Sequence, residues 1–378
     1  MSKAAPAGGK VLTTPFAILS ALAAAAVVVL VIRIFFGLDA VTNLNNGYPW
    51  GIWIVYDLVV GTALACGGYA LALVVYVGNR WEYHSLIRPA VLTSLFGYSL
   101  GMFSAVFDMG RWWQSYNLIL PWQINTGSVF FEVAMCVGLY CLVLMIEFSP
   151  PFLEWIKARD KLKLLNKVFF AVIALGILLP TMHQSSIGTM LIALGSKLSP
   201  LWQTDLLPLL FLWSAVTMGF SIVVFEASIA ALTFSRPLEK SPLIGLSNII
   251  GWMLGLYLLI RFADLIYRGQ LGLAFTGDLR GSLFLLENAL FLAPLLILAS
   301  KSGRKSPRLL FFGALCMLLG GAVYRFNAYL VGYNAPSGHV YFPAVPEILF
   351  SLGVIAIEVL AYLLLIKKLP ILHRVAPA

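Results

Sequence analysis

Among the carboxyl side chains inside long apolar stretches of the sequence are Asp57, Glu132, Glu226 and Glu358. A charged group is costly in apolar surroundings, so such residues often mark an ion or proton pathway. A carboxyl group that takes up and releases a proton is also what acid–base chemistry requires. We therefore interpret these four residues as candidates for proton transfer.

One histidine, His183, also lies in an apolar stretch, whereas His84, His339 and His373 fall in loops or in the C-terminal tail. Pro180 precedes it and a polar Gln-Ser-Ser run follows it. This pattern predicts an irregular helix end, which is tolerated at membrane depth where it lines a cavity. We therefore expect His183 to have a functional role.

The elements that hold these residues are membrane-spanning helices. The 378-residue chain is 61% hydrophobic and 11% charged, with a mean hydropathy of +0.92, whereas a soluble domain averages about 25% charged residues. The apolar runs are continuous and do not alternate, which excludes a transmembrane β-barrel. We predict one all-α, polytopic membrane domain over residues 1–378, with spans at 13–36, 52–77, 89–109, 126–147, 165–184, 205–232, 244–267, 281–299, 308–331 and 345–366.

Basic residues set the predicted orientation of these spans. Of the 25 Lys and Arg residues, 18 lie in the segments on one side, four lie in the opposite loops and three lie within helices. Positively charged loops stay in the cytoplasm, so we predict that both termini are cytoplasmic. The net charge of +9 then reflects membrane topology, and we expect no nucleic-acid partner.

Helical spacing predicts ion pairs among the embedded charges. Asp108 and Arg111 are i, i+3 neighbours, as are Arg261 and Asp264, and such neighbours can pair on a helix surface. Arg325 also stands within a span, where a charge usually needs a partner. We expect these arginines to be structural.

A polar face is predicted on the fourth helix, where Asn125, Ser128 and Glu132 recur at i, i+3 and i+7. With the predicted orientation this face lies near the outer surface. Most other embedded charges fall in the same half of the membrane, whereas Glu226 and Glu358 lie nearer the cytoplasm.

The sequence contains no recognisable metal-binding pattern. The four cysteines form neither a CxxC nor a CxxCH motif, so disulfides, zinc, iron–sulfur clusters and attached haem lack support. A membrane b-type haem normally takes two axial ligands from facing helices, and His183 is the only histidine within a span. We therefore expect no haem and no metal in this chain.

Seven ordered motifs resemble the NrfD/polysulfide reductase membrane-subunit family. The likeness runs the length of the chain and is greatest to the hydrogenase branch of that family. The motifs are NNGYPWGIWIVYDLVVGTALACGGYAL (45–71), LFGYSLGMFSAVFDMGRWW (95–113), NTGSVFFE (125–132), LPTMHQSSIG (179–188), RFADLIYRG (261–269), AFTGD (274–278) and YFPAVPEILFS (341–351).

This resemblance implies a membrane anchor that binds menaquinone or ubiquinone. It implies a ferredoxin-like iron–sulfur subunit as partner and, in the hydrogenase branch, the large and small subunits of a periplasm-facing nickel-iron hydrogenase. H₂ oxidation would take place on those partners, and this chain would react with quinone, with proton transfer as a coupled step. The family architecture implies two four-helix bundles with two additional helices, in the bacterial inner membrane.

The resemblance also implies which residues surround the quinone head group: Tyr98, Asp108, Asn125, Glu132 and His183. Tyr98 and His183 would bond to the quinone carbonyls, and Glu132 would relay protons. A head group needs only one or two polar partners within an otherwise apolar groove.

Other functional classes stay open on the sequence alone. A secondary transporter or proton channel would also need embedded charges, although the two halves of the chain show no clear repeated motif. A purely structural anchor would not need so many costly carboxyl groups. The membrane subunit of another NrfD-type oxidoreductase would share the same motifs.

Overall fold

The computed structural model describes residues 4–234 and 238–373. Within these ranges ten helices are long and apolar enough to cross a membrane, which confirms the all-α class and the predicted number of spans. We number them α1 (Thr14–Phe36), α2 (Trp53–Val77), α3 (Trp81–Asp108), α4 (Val129–Trp155), α5 (Arg159–Ile192), α6 (Leu207–Thr233), α7 (Lys240–Tyr267), α8 (Leu279–Ala299), α9 (Pro307–Val331) and α10 (Val345–Lys368).

The helices pack as two bundles and a pair. Helices α2 to α5 form the first four-helix bundle, α6 to α9 form the second, and α1 packs along α10. Contacts of α6 with α2 join the two bundles, and contacts of α10 with α3 attach the pair to the first bundle. Two-residue strands β1 (Ala4–Ala5) and β2 (Leu372–His373) pair antiparallel, so the two ends of the described chain lie on the same side.

Small residues allow α2 and α3 to approach closely. A Cβ atom at Gly97 would lie 2.5 Å from the Cβ of Ala65, and one at Gly101 would lie 2.8 Å from the carbonyl oxygen of Asp57. Such small-residue contacts are typical of helix pairs in membranes. The first two turns of α2, Trp53–Val60, are π-helical, a local irregularity that is frequent at functional sites.

Helix α4 is longer at its C-terminal end than the predicted span 126–147. It continues through Pro150 and ends at Trp155. Proline has no N–H group to donate to the carbonyl one turn earlier. The Ser149 hydroxyl donates to that carbonyl, on Ile146, over 2.7 Å, so the helix passes the proline without leaving this oxygen unpaired.

The prediction of an irregular helix end after Pro180 is wrong. Helix α5 passes Pro180 and continues to Ile192. The hydroxyl of Ser185 donates to the carbonyl of Thr181 over 3.0 Å, and that of Ser186 donates to the carbonyl of Met182 over 2.8 Å. These polar side chains are therefore satisfied by their own helix and do not interrupt it.

Candidate functional site

The predicted head-group residues Tyr98 and His183 lie together in the interior of the first bundle. Both are 0% exposed, and their ring centroids are 5.6 Å apart in an edge-to-face arrangement. The Tyr98 hydroxyl lies 3.7 Å from the sulfur of Cys66 and 3.5 Å from Nε2 of Gln184. The structure thus brings α2, α3 and α5 together around these two predicted residues.

Thr62 on α2 determines which nitrogen of His183 carries the proton. Its hydroxyl donates its single hydrogen to the carbonyl of Leu58 over 2.6 Å. Oγ1 of Thr62 is also 3.1 Å from Nε2 of His183 and 3.1 Å from Nε2 of Gln184, so both nitrogens must donate to it. Neutral His183 therefore carries its hydrogen on Nε2. Its Nδ1 is a buried acceptor with no partner among the described residues.

Arg325 on α9 adds a buried positive charge beside this cluster. Its Nη2 lies 3.5 Å from Oε1 of Gln184 and 3.3 Å from the carbonyl of Phe211, and its Nη1 lies 3.3 Å from Oγ of Ser214. The ion pair expected for Arg325 is wrong, since no salt bridge in the described part of the chain includes it. The facing positions of α6 offer carbonyl and hydroxyl groups and no acid.

Arg261 pairs with a different acid than predicted. Its Nη2 is 2.6 Å from Oε1 of Glu287 on α8, and both side chains are buried. The indole N–H of Trp202 donates to the other oxygen of Glu287 over 3.0 Å. Asp264 pairs instead with Arg268, the residue that directly follows α7, over 2.7 Å. The predicted Arg261–Asp264 pair is wrong because Arg261 turns into the bundle while Asp264 lies at the helix end.

The predicted pair of Asp108 with Arg111 is also wrong. Arg111 is exposed, and no ion pair described in the structure includes it. Asp108 interacts electrostatically with Arg33 of α1. The guanidinium of Arg33 also donates to the carbonyls of Phe107 over 3.0 Å and Met109 over 2.6 Å. A cation here satisfies the carbonyls at the end of α3.

Asn125 and Glu132 lie apart from the Tyr98–His183 cluster. Asn125 is exposed, and its Oδ1 accepts from the backbone N–H of Gly127 over 3.0 Å, in a turn that precedes α4. It is therefore not on the predicted helical face, because an Asn-x-Gly sequence favours such a turn. Glu132 lies half-buried in the first turn of α4. No described contact joins either residue to the cluster.

A cavity of about 350 Å³ lies between α2, α3, α6 and α10. Three of the predicted proton-transfer residues line it, namely Asp57, Glu226 and Glu358. Thr93 donates to Oε1 of Glu226 over 2.6 Å, and Ser351 donates to Oδ2 of Asp57 over 3.2 Å. Oδ1 of Asp57, a residue only 4% exposed, has no partner among the described residues. The three acids, on three different helices, therefore face one space.

Several residues of this region were missed in the sequence. Tyr56, Thr93 and Tyr362 also line the cavity, whereas Glu132 does not. Tyr362 follows Glu358 by one helical turn, so helical spacing could have indicated it. Thr62 and Gln184 could not be distinguished from ordinary packing residues by sequence pattern.

A hydrogen-bonded carboxyl group fixes the loop that leads into α10. Tyr341 donates to Oε1 of Glu347 over 2.6 Å, and the N–H of Ala344 donates to Oε2 over 2.8 Å. Burial raises the pKa of Tyr341, and the bond to Glu347 raises it further. This arrangement holds the loop against α10, the helix that carries Ser351 and Glu358.

Three curated relatives match along nearly the whole chain. The "Probable Ni/Fe-hydrogenase 2 b-type cytochrome subunit" of Escherichia coli strain K12 is 47% identical over 97% of this chain and 94% of its own length. The "Menaquinone reductase, integral membrane subunit" of Nitratidesulfovibrio vulgaris is 29% identical over 89% of this chain and 86% of its own length. Another protein of Nitratidesulfovibrio vulgaris is 32% identical over 92% of this chain and 91% of its own length.

The name of the Escherichia coli relative corrects one expectation. We expected no haem in this chain, and the 47% identical relative is named a b-type cytochrome subunit. The expectation that the chain carries no haem is therefore contradicted. As for other metals, the described residues contain no group of three or more His, Cys, Asp or Glu side chains in a metal-binding arrangement.

Residues 40–337 match the family described as "Polysulphide reductase, NrfD". This range covers most of the chain and includes α2 to α9. Together with the 47% identity over 370 residues, the match confirms the resemblance carried by the sequence motifs. The chain belongs to the NrfD family of membrane subunits.

Proposed function

We propose that this chain is the quinone-reactive membrane subunit of a hydrogenase-2-type oxidoreductase. Electrons from H₂ would pass from a nickel-iron large and small subunit pair, through a ferredoxin-like iron–sulfur subunit, to menaquinone or ubiquinone held by this chain. The 47% identity with a hydrogenase 2 subunit supports the complex. The relative named as a membrane subunit of menaquinone reductase supports the acceptor.

The complex would lie in the bacterial inner membrane, with both termini of this chain in the cytoplasm. The distribution of Lys and Arg supports this orientation. The iron–sulfur partner would then dock on the opposite, periplasmic side, near the outer ends of α3 and α4.

The observation that carries the proposal is the unpartnered Nδ1 of His183, whose ring centroid lies 5.6 Å from that of Tyr98. A quinone accepts two electrons and two protons and becomes a quinol. Tyr98 would donate a hydrogen bond to one carbonyl. Nδ1 of neutral His183 would accept a hydrogen bond from a hydroxyl of the quinol that forms when the head group takes up two electrons from the iron–sulfur partner and two protons delivered by carboxyl groups.

Protons would reach this site through carboxyl groups. Asp57, Glu226 and Glu358 share one cavity, which supports a route along α2, α6 and α10. Glu132, in the first turn of α4, would serve proton transfer on the predicted outer side. Asp108 and Asn125 would contribute to the outer rim of the quinone site.

Haem is a second candidate cofactor, because the 47% identical relative is named a b-type cytochrome subunit. His183 is the first candidate for a haem ligand, because it is buried within a span. Its Nε2 is hydrogen-bonded to Thr62. No step of the proposed function passes through haem.

The proposal is tested by photolabelling the purified complex with a menaquinone analogue that carries a reactive group on its ring. We expect the label on the peptides that contain Tyr98 and His183, and we expect excess menaquinone to displace it. A control analogue with the reactive group at the end of the isoprenoid tail should label other peptides. Labelling confined to lipid-facing residues, or labelling that menaquinone does not displace, would contradict the proposed site.

A further inference from the structure

A second, smaller cavity adjoins the large one on the side predicted to face the cytoplasm. It has a volume of about 70 Å³ and is lined by Ser85 and Glu239 together with Glu226 and Tyr362. Glu226 and Tyr362 also line the large cavity. The two spaces therefore meet at this pair of residues.

Glu239 is held in place at the end of the small cavity that is predicted to face the cytoplasm. It directly precedes α7 and is half-buried. The hydroxyl of Ser85, in the first turns of α3, donates to Oε2 of Glu239 over 2.6 Å. Thr93, two turns further along α3, makes the corresponding bond to Glu226 over 2.6 Å. Helix α3 thus fixes one carboxyl group on each side of the small cavity.

The small cavity has room for water between these carboxyl groups. A buried water needs about 10–15 Å³ of such space and polar partners, so about 70 Å³ is enough to hold water. Glu239 and Ser85 supply partners on one side, and Glu226 and Tyr362 supply them on the other. A hydrogen-bonded connection between the two carboxyl groups is therefore geometrically available.

The large cavity extends this connection across a substantial part of the membrane. On α3 its lining runs from Thr93 to Gly101, eight residues or about 12 Å along a helix. The apolar core of a bilayer is about 30 Å thick. Glu226 and Glu358 lie toward the predicted cytoplasmic end of this space, and Asp57 lies toward the other end. Oδ1 of Asp57 has no partner among the described residues and can accept a proton at that end.

We propose that Glu239, positioned by Ser85, is the proton-uptake residue on the predicted cytoplasmic side and passes protons to Glu226 through the small cavity. This inference rests on the proposed function, because quinone reduction is what consumes the protons. In each step the Glu239 carboxyl group gives its proton through water to the Glu226 carboxylate, and Glu239 then regains a proton from the bulk solvent. Two such transfers supply one quinone.

The test compares four variants of the purified complex reconstituted in liposomes. They are Glu239→Gln, Glu239→Asp, Ser85→Ala and the control Glu82→Gln. Glu82 lies on the same predicted side, pairs with Arg80 over 3.6 Å with its side chain 52% exposed, and lines neither cavity. Three signals are recorded: H₂ oxidation with a soluble dye, H₂ oxidation with menaquinone, and the membrane potential.

We expect Glu239→Gln to lower quinone-linked turnover and the initial rate of potential formation by about tenfold or more, the scale on which positioned acid–base groups act. Ser85→Ala should have a smaller effect, Glu239→Asp should restore most of both rates, and Glu82→Gln should match the parent. Dye-linked activity should be unchanged in all four variants, which shows that the hydrogenase subunits are intact, and co-purification of each variant with them shows that the complex assembles.

The outcomes separate this inference from the function on which it rests. A parent complex that does not reduce menaquinone would overturn the proposed function. A parent complex that reduces menaquinone without forming a potential would overturn proton uptake from the cytoplasm. Parent-like rates in Glu239→Gln, or equal losses in Glu239→Gln and Glu82→Gln, would remove Glu239 from the route.

Discussion

Replacing Thr62 by valine removes one hydroxyl group and leaves the size of the side chain nearly unchanged. Thr62 is 0% exposed, and its hydroxyl takes part in three hydrogen bonds, to Leu58, His183 and Gln184. The substitution therefore changes the orientation and proton position of His183 without removing His183 itself. It tests whether the tautomer fixed by Thr62 matters for the reaction with quinone.

The expected loss of activity follows from the hydrogen-bonding groups that lose their partner. In Thr62→Val the N–H groups of His183 and Gln184 no longer have the acceptor that lies 3.1 Å from each of them. A buried polar group left unsatisfied costs about 1–3 kcal/mol. If His183 is the group that reacts, a loss of about 1–3 kcal/mol in transition-state stabilisation lowers kcat/KM for quinone roughly 5- to 150-fold.

The assay is quinone-linked H₂ oxidation by the purified complex, with dye-linked H₂ oxidation as the measure of hydrogenase activity and co-purification of this chain as the measure of assembly. Thr62→Ser is the matched control, because it keeps the hydroxyl and removes only a methyl group. We expect Thr62→Ser to retain most of the activity with quinone and both variants to retain activity with the dye. Equal losses in Thr62→Val and Thr62→Ser would show that packing matters and the hydroxyl does not. Full activity of Thr62→Val would refute the role assigned to this residue.

Three further predictions concern the remaining buried groups. His183→Ala and Glu132→Gln should each abolish quinone reduction and leave dye-linked activity intact, and normal quinone-linked rates in both would exclude these residues from the site. Glu226→Gln in liposomes should reduce turnover and membrane potential together, since it interrupts the carboxyl route, and an unchanged response would show that protons take another way. Arg261→Met should lower the unfolding free energy of the protein in detergent by about 3–5 kcal/mol, because it leaves the buried Glu287 unpaired. The double variant Arg261→Met with Glu287→Gln should recover most of that loss, because glutamine is uncharged and keeps an oxygen that can accept from Trp202. A double variant no more stable than the single one would argue against the pair.

The spans could be predicted because length and hydropathy are properties of each helix by itself. The ten apolar runs became ten helices, and the gathering of Lys and Arg in alternate loops gives an orientation that awaits a direct test. The family motifs were also readable, because polar residues at fixed positions in apolar helices are rare. Tyr98 and His183 were named on that basis, and they do lie against each other.

The partners of buried charges could not be predicted, because they come from other helices. Spacing along α7 suggested Asp264 for Arg261, whereas the actual acid, Glu287, stands on α8. Likewise, the cation that acts electrostatically on Asp108 is Arg33, far away in the sequence on α1. Helices that are apolar on every side show no stripe that indicates which face is packed, so contacts between them are not visible in the sequence.

The large cavity could not be predicted from the sequence for the same reason. Its acids stand on α2, α6 and α10, and only the packing of these helices with α3 brings them to one space. Asn125 shows the opposite error, in which a helical spacing was extended into a turn that ends before α4 begins. Local turn chemistry overrode the periodic pattern there.

The most direct test of the central claim is H₂ oxidation with menaquinone by the purified complex, measured with and without this chain. The account predicts that the complete complex reduces menaquinone, and that the complex lacking this chain reduces only the soluble dye. Adding the purified chain back should restore the reaction with menaquinone. Equal menaquinone reduction in the presence and absence of this chain would contradict its assignment as the quinone-reactive subunit.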